Sequence, residues 1–205
     1  MSAFSIAFAE AEAKAMHFLV ADHGFRPQER KAVETSGTQA VFASVTYVEA
    51  RPTSQSHERF VRLSMAPLRL ELDLDIGFGR DRTQYFTIHE LHQLIGSDAI
   101  PPRAHDMYQA MHDSAQLAEE FEVLAVVLRD TGARFFSGDP SLWEDLRNQR
   151  LRWAKSRDDM EASKRAEGAF KAKEWRRVVD LLSPIEETLG RTDAARLRYA
   201  RKQLG

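Results

Sequence analysis

The clearest pattern in the chain is a strict alternation of apolar and charged residues from position 68 to position 76, where the sequence reads LRLELDLDI. A period of two is typical of a half-buried strand in an antiparallel sheet, because successive side chains point to opposite faces. The leucines and Ile76 therefore face a core. The carboxylates of Glu71, Asp73 and Asp75 form an acidic row on the other face.

Two segments before this strand, residues 38–49 and 58–65, are rich in strand-forming residues, and a polar loop separates them. A short segment near residues 84–87 follows a glycine-containing loop and has the same character. Together with the alternating strand, these segments predict an antiparallel meander of three or four strands.

Helical patterns precede and follow the sheet segments. Apolar residues at helical spacing predict a first helix over about residues 3–22, with Gly24 as its C-cap. Thr87 is placed to cap a short helix that ends at Gly96, and Glu90 completes a capping box. Four further helices are expected over about residues 104–129, 142 into the 160s, 174–189 and 193–204.

These elements predict an α+β fold: an N-terminal helix on an antiparallel sheet of three or four strands, then a helical region that ends in an antiparallel helical hairpin. We place a boundary near residue 100, with an α+β domain over residues 1–100 and the helical region over residues 101–205. The Pro101-Pro102 pair favours this division because it breaks the helical pattern.

The composition excludes several chemistries. The chain of 205 residues contains no cysteine, so it forms no disulfide, thiolate-bound zinc site or cysteine nucleophile, and this usage suits the reducing cytoplasm. The apolar N-terminal stretch lacks a basic start and contains Glu10, Glu12 and Lys14, which favours a helix of the folded protein over an export signal. No apolar run approaches the about 18 residues of a membrane span.

Charge is distributed unevenly along the chain. Residues 147–205 hold 16 basic and 9 acidic residues, a net charge of +7, whereas residues 1–146 carry −9. An acidic front and a basic tail attract partners of opposite charge, and they also attract each other.

The acidic row of Glu71, Asp73 and Asp75 has three interpretations. The carboxylates could hold a divalent cation, although alternate residues of a strand lie ~7 Å apart and diverge. They could recognise a basic protein partner, such as a basic toxin domain, by electrostatic attraction. In the third interpretation they form a solvated face whose charges are met across the hairpin, where a turn at residues 66–67 pairs Arg62 with Glu71.

Four of the seven histidines lie between residues 89 and 112. His89 and His92 share one helix face, and His105 and His112 share a face of the next predicted helix. If the two helices pack face to face, these imidazoles would bind zinc or iron and support a metal-dependent enzyme. The spacing matches neither the metalloprotease motif nor the di-iron motif, so the alternative is that amphipathic helices carry histidines at boundary positions.

The basic tail raises a nucleic-acid hypothesis. Its cations occur in two groups, at residues 147–157 and 191–202, with Trp153 and Tyr199 interleaved, and aromatic and cationic side chains together suit nucleic acids. Acidic residues lie among the cations, and no helix-turn-helix or base-stacking signature is present. In the other interpretation, the Arg and Lys stems cover the apolar seams of a helical hairpin.

Residues 160–204 resemble a tetratricopeptide-type helical hairpin in the order of their small, aromatic and aliphatic residues. The matching positions are Ala166, Ala169, Phe170, Trp175, Val178, Val179, Leu181, Leu182, Pro184, Ala194, Leu197, Tyr199 and Ala200. No second copy occurs at the repeat period of about 34 residues. The resemblance implies a protein-binding or self-association module, with Trp175 and Tyr199 as candidate partner-binding residues.

The order of helix, meander, short helix and helical tail also resembles small uncharacterised bacterial proteins, among them immunity proteins of toxin systems. That resemblance implies a protein partner, and no residue role is transferred from it, because fold alone does not give function.

The sequence contains neither a nucleophile elbow nor a phosphate-binding glycine loop. We therefore predict a non-enzymatic cytoplasmic protein without a cofactor that binds another protein through the acidic sheet face or the C-terminal hairpin. The first alternative is a metal-dependent enzyme built on the histidines. The second is nucleic-acid binding through the basic tail.

Overall fold

The computed structural model divides the chain into two compact units, Met1–Leu146 and Arg147–Gly205. The described residues are 3–34, 41–50, 58–66, 71–79, 84–96 and 113–205. The division differs from the one expected near residue 100, because the helix that begins at Ser114 packs against the N-terminal helix and belongs to the first unit. The second unit is the segment that carries a net charge of +7.

The first unit contains one antiparallel sheet whose strand order follows the chain order. Its strands are β1 (Phe25–Glu34), β2 (Val41–Glu49), β3 (Arg59–Ala66), β4 (Glu71–Phe78) and β5 (Gln84–Thr87). The helices of the described chain are α1 (Ala3–Ala15), α2 (His17–Ala21), α3 (Ile88–Ile95), α4 (Ser114–Thr131), α5 (Ala133–Phe136), α6 (Ser141–Lys171), α7 (Trp175–Leu182), a 3-10 helix (Ser183–Thr188) and α8 (Arg191–Leu204). The predicted α+β fold class is confirmed.

Strand β1 is the element that the sequence patterns missed, so the sheet has five strands where three or four were predicted. It contains Pro27 and the exposed charged residues Glu29, Arg30 and Lys31, and neither a proline nor a charged run is typical of a strand. These residues are tolerated because β1 is an edge strand beside β2, and its register shifts between Pro27 and Glu29.

The register between β3 and β4 differs from the prediction. Arg62 lies opposite Asp75, not opposite Glu71. The predicted turn placed the connection too early, because Ala66 itself pairs with Glu71. Residues 67–70, where the predicted alternating strand begins, lie outside the described part of the chain.

The predicted capping box of α3 is confirmed. The Thr87 hydroxyl accepts a hydrogen bond from the backbone N–H of Glu90 (3.2 Å), and the Glu90 carboxylate accepts one from the backbone N–H of Thr87 (2.8 Å). Gly96 ends the helix in the left-handed conformation, with φ 67°, which glycine adopts without steric cost. This short helix therefore has both ends fixed by local sequence.

Two other helix boundaries were not predicted from the sequence. The first helix is interrupted at Met16, so that α1 and the short α2 replace one continuous helix. Helix α4 begins at Ser114, where the Asp113 side chain accepts a backbone N–H of the first turn (2.8 Å) and caps the helix. The start of the predicted helix, residues 104–112, lies outside the described residues.

The core of the first unit lies on one face of the sheet, beneath helices that include α1, α3 and α4. Phe8 of α1 packs edge-on against Phe121 of α4, with ring centroids 5.0 Å apart. Leu74 and Ile76 of β4 are buried in the same cluster. The alternation of apolar residues thus assigned the core-facing side of β4 correctly.

The second unit is helical and has a core of its own. Its buried apolar residues are Ala166, Ala169, Val178, Leu182, Leu197 and Ala200. Helices α7 and α8 contact each other, which confirms the predicted C-terminal helical hairpin. Residues 183–188 form a 3-10 helix instead of continuing α7, because Pro184 lacks the N–H that an α-helix interior requires.

Candidate functional site

Asp75, predicted to be part of an exposed acidic row, lies in a buried ion pair. One of its carboxylate oxygens accepts hydrogen bonds from Arg62 Nη2 (2.6 Å) and Nε (3.1 Å). The Arg62 guanidinium also lies over the ring of Tyr85, 4.7 Å from the ring centroid, a cation–π contact. Three adjacent strands therefore share this cluster, and Asp75 is buried at the sheet face opposite the core.

The other residues of the predicted acidic row are placed differently. Asp73 lies opposite Ser64 and is half-buried. The side chain of Glu71 lies outside the described part of the structure, although its backbone pairs with Ala66. Within the described residues, then, the row does not present three exposed carboxylates.

Two of the four candidate metal ligands are described. His89 is exposed, and its Nε2 lies 2.8 Å from Gln93 Nε2, whereas His92 is half-buried on the same helix. His105 and His112 lie outside the described residues. Over the described ranges, no three His, Cys, Asp or Glu side chains are grouped so that they could hold a metal ion.

Three aromatic side chains meet in the second unit, where the end of α6 and the start of α7 approach α8. The centroid distances are 5.4 Å between Phe170 and Trp175, 5.6 Å between Phe170 and Tyr199, and 5.5 Å between Trp175 and Tyr199, all with edge-to-face rings. Tyr199 is nevertheless 48% exposed. We call these three residues the aromatic cluster. It brings together both partner-binding residues predicted from the sequence.

Cationic residues flank the aromatic cluster. Lys173 lies in the turn between α6 and α7, and Lys202 follows Tyr199 by one helical turn on α8. Arg196 precedes Tyr199 by one turn, but it pairs with Asp193 (2.7 Å) and with Glu167 (3.7 Å). Lys173 and Lys202 are both exposed and lie close in sequence to residues of the cluster.

Some of the tail cations considered for nucleic-acid binding are held in ion pairs within the second unit. Both terminal nitrogens of Arg201 donate to the Glu186 carboxylate, at 2.8 and 2.7 Å. The hydrogen bond from Arg201 lowers the pKa of Glu186 below its usual value. These contacts tie α8 to the 3-10 helix, which is a structural role.

A buried carboxylate that the sequence patterns did not single out lies in the first unit. Glu12 of α1 is 0% exposed. It accepts a hydrogen bond from the Tyr47 hydroxyl of β2 and another from Arg30 Nη2 of β1 (3.2 Å). Since the Arg30 side chain is 52% exposed, the three residues connect the core to the edge of the sheet.

A cavity of about 330 Å³ opens beside Glu12, between α1 and strands β1 and β2. Its lining includes the apolar residues Phe8, Ala9, Ala43 and Val45 and the polar residues Ser5, Glu12, Arg30, Lys31 and Ser44. Apolar walls with a few convergent polar groups are the general form of small-molecule binding sites.

Burial raises the pKa of two groups at this site, Glu12 and Tyr47. It raises the pKa of the Glu12 carboxyl, and the hydrogen bond from Tyr47 and the charge of Arg30 oppose that shift without cancelling it. Burial and the hydrogen bond to Glu12 also raise the pKa of the Tyr47 hydroxyl. Tyr47 therefore remains a hydrogen-bond donor throughout the neutral range, and Glu12 binds a proton more readily than an exposed glutamate does.

The sequence did contain a signal for Glu12. The apolar stripe of the first helix includes Phe8, Ala15 and Leu19, and Glu12 falls on that same stripe. A carboxylate on a buried helix face requires hydrogen-bonding partners. Arg30, the arginine that pairs with Glu12, could not be identified from the sequence because it lies on β1, a strand that the hydrophobic pattern did not predict.

Comparison with known proteins assigns no relative to the chain. No protein-family model matches it, and no curated protein and no solved structure is significantly similar to it. The resemblances to tetratricopeptide hairpins and to immunity proteins stay predictions. In the part of the chain that the structure describes, no helix has both the length and the apolar character needed to cross a bilayer.

Proposed function

We propose that the chain is a non-catalytic protein-binding protein and that its C-terminal unit binds an acidic segment of a partner protein. The observation that carries this proposal is the aromatic cluster. Tryptophan and tyrosine are enriched among the residues that contribute most to protein interfaces. Tyr199 is packed against two other rings and yet nearly half exposed, so it offers a preorganised contact.

The charge of the second unit indicates the chemistry of the partner. Residues 147–205 carry a net charge of +7, and Lys173 and Lys202 flank the aromatic cluster. Complementary charge accelerates association and excludes partners of like charge. An acidic, extended or helical protein segment with an apolar anchor residue fits this surface.

Of the two binding surfaces predicted from the sequence, the C-terminal one is favoured. The sheet-face alternative relied on three exposed carboxylates, but Asp75 is buried and paired with Arg62. The candidate residue Tyr199 is exposed, and its ring contacts are with the aromatic cluster itself.

The proposal can be tested by affinity capture from source cells with the full-length protein. The wild type should retain a protein partner that the Tyr199→Ser variant loses, and added salt should weaken retention because the contact is partly electrostatic. The matched control is Trp153→Ser, since Trp153 is also a half-exposed aromatic residue of the second unit (39% exposed) but lies outside the aromatic cluster. This control should capture the partner as the wild type does.

Circular dichroism of both variants would verify that the helices are intact. Equal capture by wild type and Tyr199→Ser would contradict the proposal. Capture that is abolished by nuclease treatment would also contradict it, and would support the nucleic-acid alternative.

A further inference from the structure

We propose that the cavity beside Glu12 is a binding site for a small amphipathic carboxylate, whose apolar body lies against Phe8 and Val45 and whose carboxylate is bound by Arg30. The cavity belongs to the first unit and is lined by α1, β1 and β2. This inference goes beyond the proposed function, which concerns residues of the second unit only.

The size of the cavity restricts the ligand. A volume of about 330 Å³ lies at the lower end of the range of about 300–1,000 Å³ that is typical of small-molecule sites. The wall contributed by Phe8, Ala9, Ala43 and Val45 is apolar. A ligand that fills this space therefore has a short hydrocarbon or single-ring body.

The charges at the cavity favour an anion over a cation. Lys31 pairs with Glu29 (2.8 Å), so Arg30 is the lining cation that faces Glu12, the carboxylate among the described lining residues. Glu12 already accepts hydrogen bonds from Arg30 and Tyr47, so an ammonium group would have to compete with both for it. A carboxylate meets a guanidinium, which binds carboxylates in a planar two-pronged geometry.

Glu12 and Tyr47 act as positioning residues for Arg30. One guanidinium nitrogen, Nη2, donates to Glu12, and a guanidinium carries five N–H donors in all. The buried carboxylate, itself held by the Tyr47 hydroxyl, thus fixes the arginine from the core side and orients it before a ligand arrives. Such preorganisation lowers the entropy cost of binding.

The test uses octanoate as the probe, with octanol and octylamine as controls that keep the hydrocarbon chain and change only the head group. Isothermal titration calorimetry of the full-length protein should show saturable octanoate binding at least about tenfold tighter than binding of either control, a margin consistent with a charge-assisted contact. Amide chemical-shift changes in NMR spectra should concentrate at the lining residues of α1, β1 and β2. Equal affinity for all three probes, or shifts elsewhere only, would overturn the proposal.

Two pairs of variants separate binding from folding. Arg30→Gln should weaken octanoate binding about tenfold or more, whereas Arg26→Gln, which removes another exposed cation of the same strand, should not. Ala9→Leu should block the cavity while Arg30 and Glu12 stay paired, and Ala13→Leu at an exposed position of α1 is its control. Undiminished octanoate binding by the folded Ala9→Leu variant would overturn the assignment of the cavity.

Discussion

Arg59 and Glu49 form a two-pronged ion pair within the first unit. Nε and Nη2 of the arginine donate to the two carboxylate oxygens at 3.0 and 2.5 Å, and only 11% and 7% of the two side chains are exposed. The third nitrogen of Arg59 donates to the backbone carbonyls of Phe135 and Phe136 at the end of α5. The Arg59 side chain of β3 thus links β2 to α5.

Replacement of this arginine should therefore be costly. Arg59→Met should lower the free energy of unfolding by about 3–5 kcal/mol, because Glu49 would be left buried without its cationic partner. Urea unfolding monitored by circular dichroism measures the effect. Arg26→Met, at an exposed position of β1, is the control and should change stability by no more than about 0.5 kcal/mol. A similar small change for both variants would contradict the role assigned to Arg59.

The pH dependence of stability should report on Glu12. Since burial raises its pKa above the ordinary value of 4.5, the folded protein binds a proton here more tightly than the unfolded chain. The resulting stabilisation is complete below about pH 4.5 and is lost as the pH rises through the pKa of the folded state. The Glu12→Gln variant has no ionisable group at this position, so its stability lacks this contribution to the pH dependence.

The free energy of unfolding of Glu12→Gln, relative to the wild type, should thus increase as the pH rises above about 4.5. Urea unfolding at a series of pH values provides the measurement. Glu10→Gln, at an exposed position of the same helix, should show no such trend. A relative stability of Glu12→Gln that falls with increasing pH would mean that the folded-state pKa is lowered, contrary to our assignment.

Two glycines should respond in opposite ways to the same substitution. A Cβ on Gly77 of β4 would overlap the ring of Phe60 and the backbone oxygen of Gln84, so Gly77→Ala should destabilise the protein by about 1–3 kcal/mol. Gly168 lies in α6 with nothing within 4 Å of a Cβ. Gly168→Ala should therefore stabilise the helix by about 0.5–1 kcal/mol. Thermal unfolding of both variants measures these two changes in stability.

A double-mutant cycle should show that Arg62 and Asp75 are coupled. The variants are Arg62→Met, Asp75→Ala and the double substitution, with stabilities from urea unfolding. Because the pair is largely buried and made through two hydrogen bonds, we expect a coupling energy of about 0.5–3 kcal/mol. Additive effects would show that the contact between Arg62 and Asp75 does not contribute to stability.

The features that the sequence predicted correctly are those determined by near neighbours in the chain. Thr87, Glu90 and Gly96 specify α3 because the capping groups are within one turn of each other. The apolar alternation in β4 identified Leu74 and Ile76 as core residues, because side-chain direction in a strand has a fixed period.

The features that the sequence did not predict depend on contacts across the fold. The β1 sequence has a proline and charges, and only its place beside β2 makes it a strand. The register of Arg62 with Asp75 depends on the length of the connection that precedes β4. A hydrophobic pattern fixes which face is buried but not how far one strand slides along the next in steps of two residues.

The candidate sites show the same division. Trp175 and Tyr199 were predicted from the resemblance of this segment to a tetratricopeptide-type hairpin, and the structure adds Phe170 to them. The cavity beside Glu12 was not foreseen, because its polar groups come from one helix and two strands. Arg30 becomes relevant only once β1 lies next to β2.

The strand order also has a consequence for synthesis of the chain. Because each strand pairs with the next one in sequence, the sheet can assemble on the ribosome as its strands emerge in turn. Helix α1 is made before the sheet, but it packs against α4, which ends only at Thr131. The face of α1 that packs on α4 is therefore covered only after most of the first unit has left the exit tunnel, later than the contacts of Glu12 with β1 and β2.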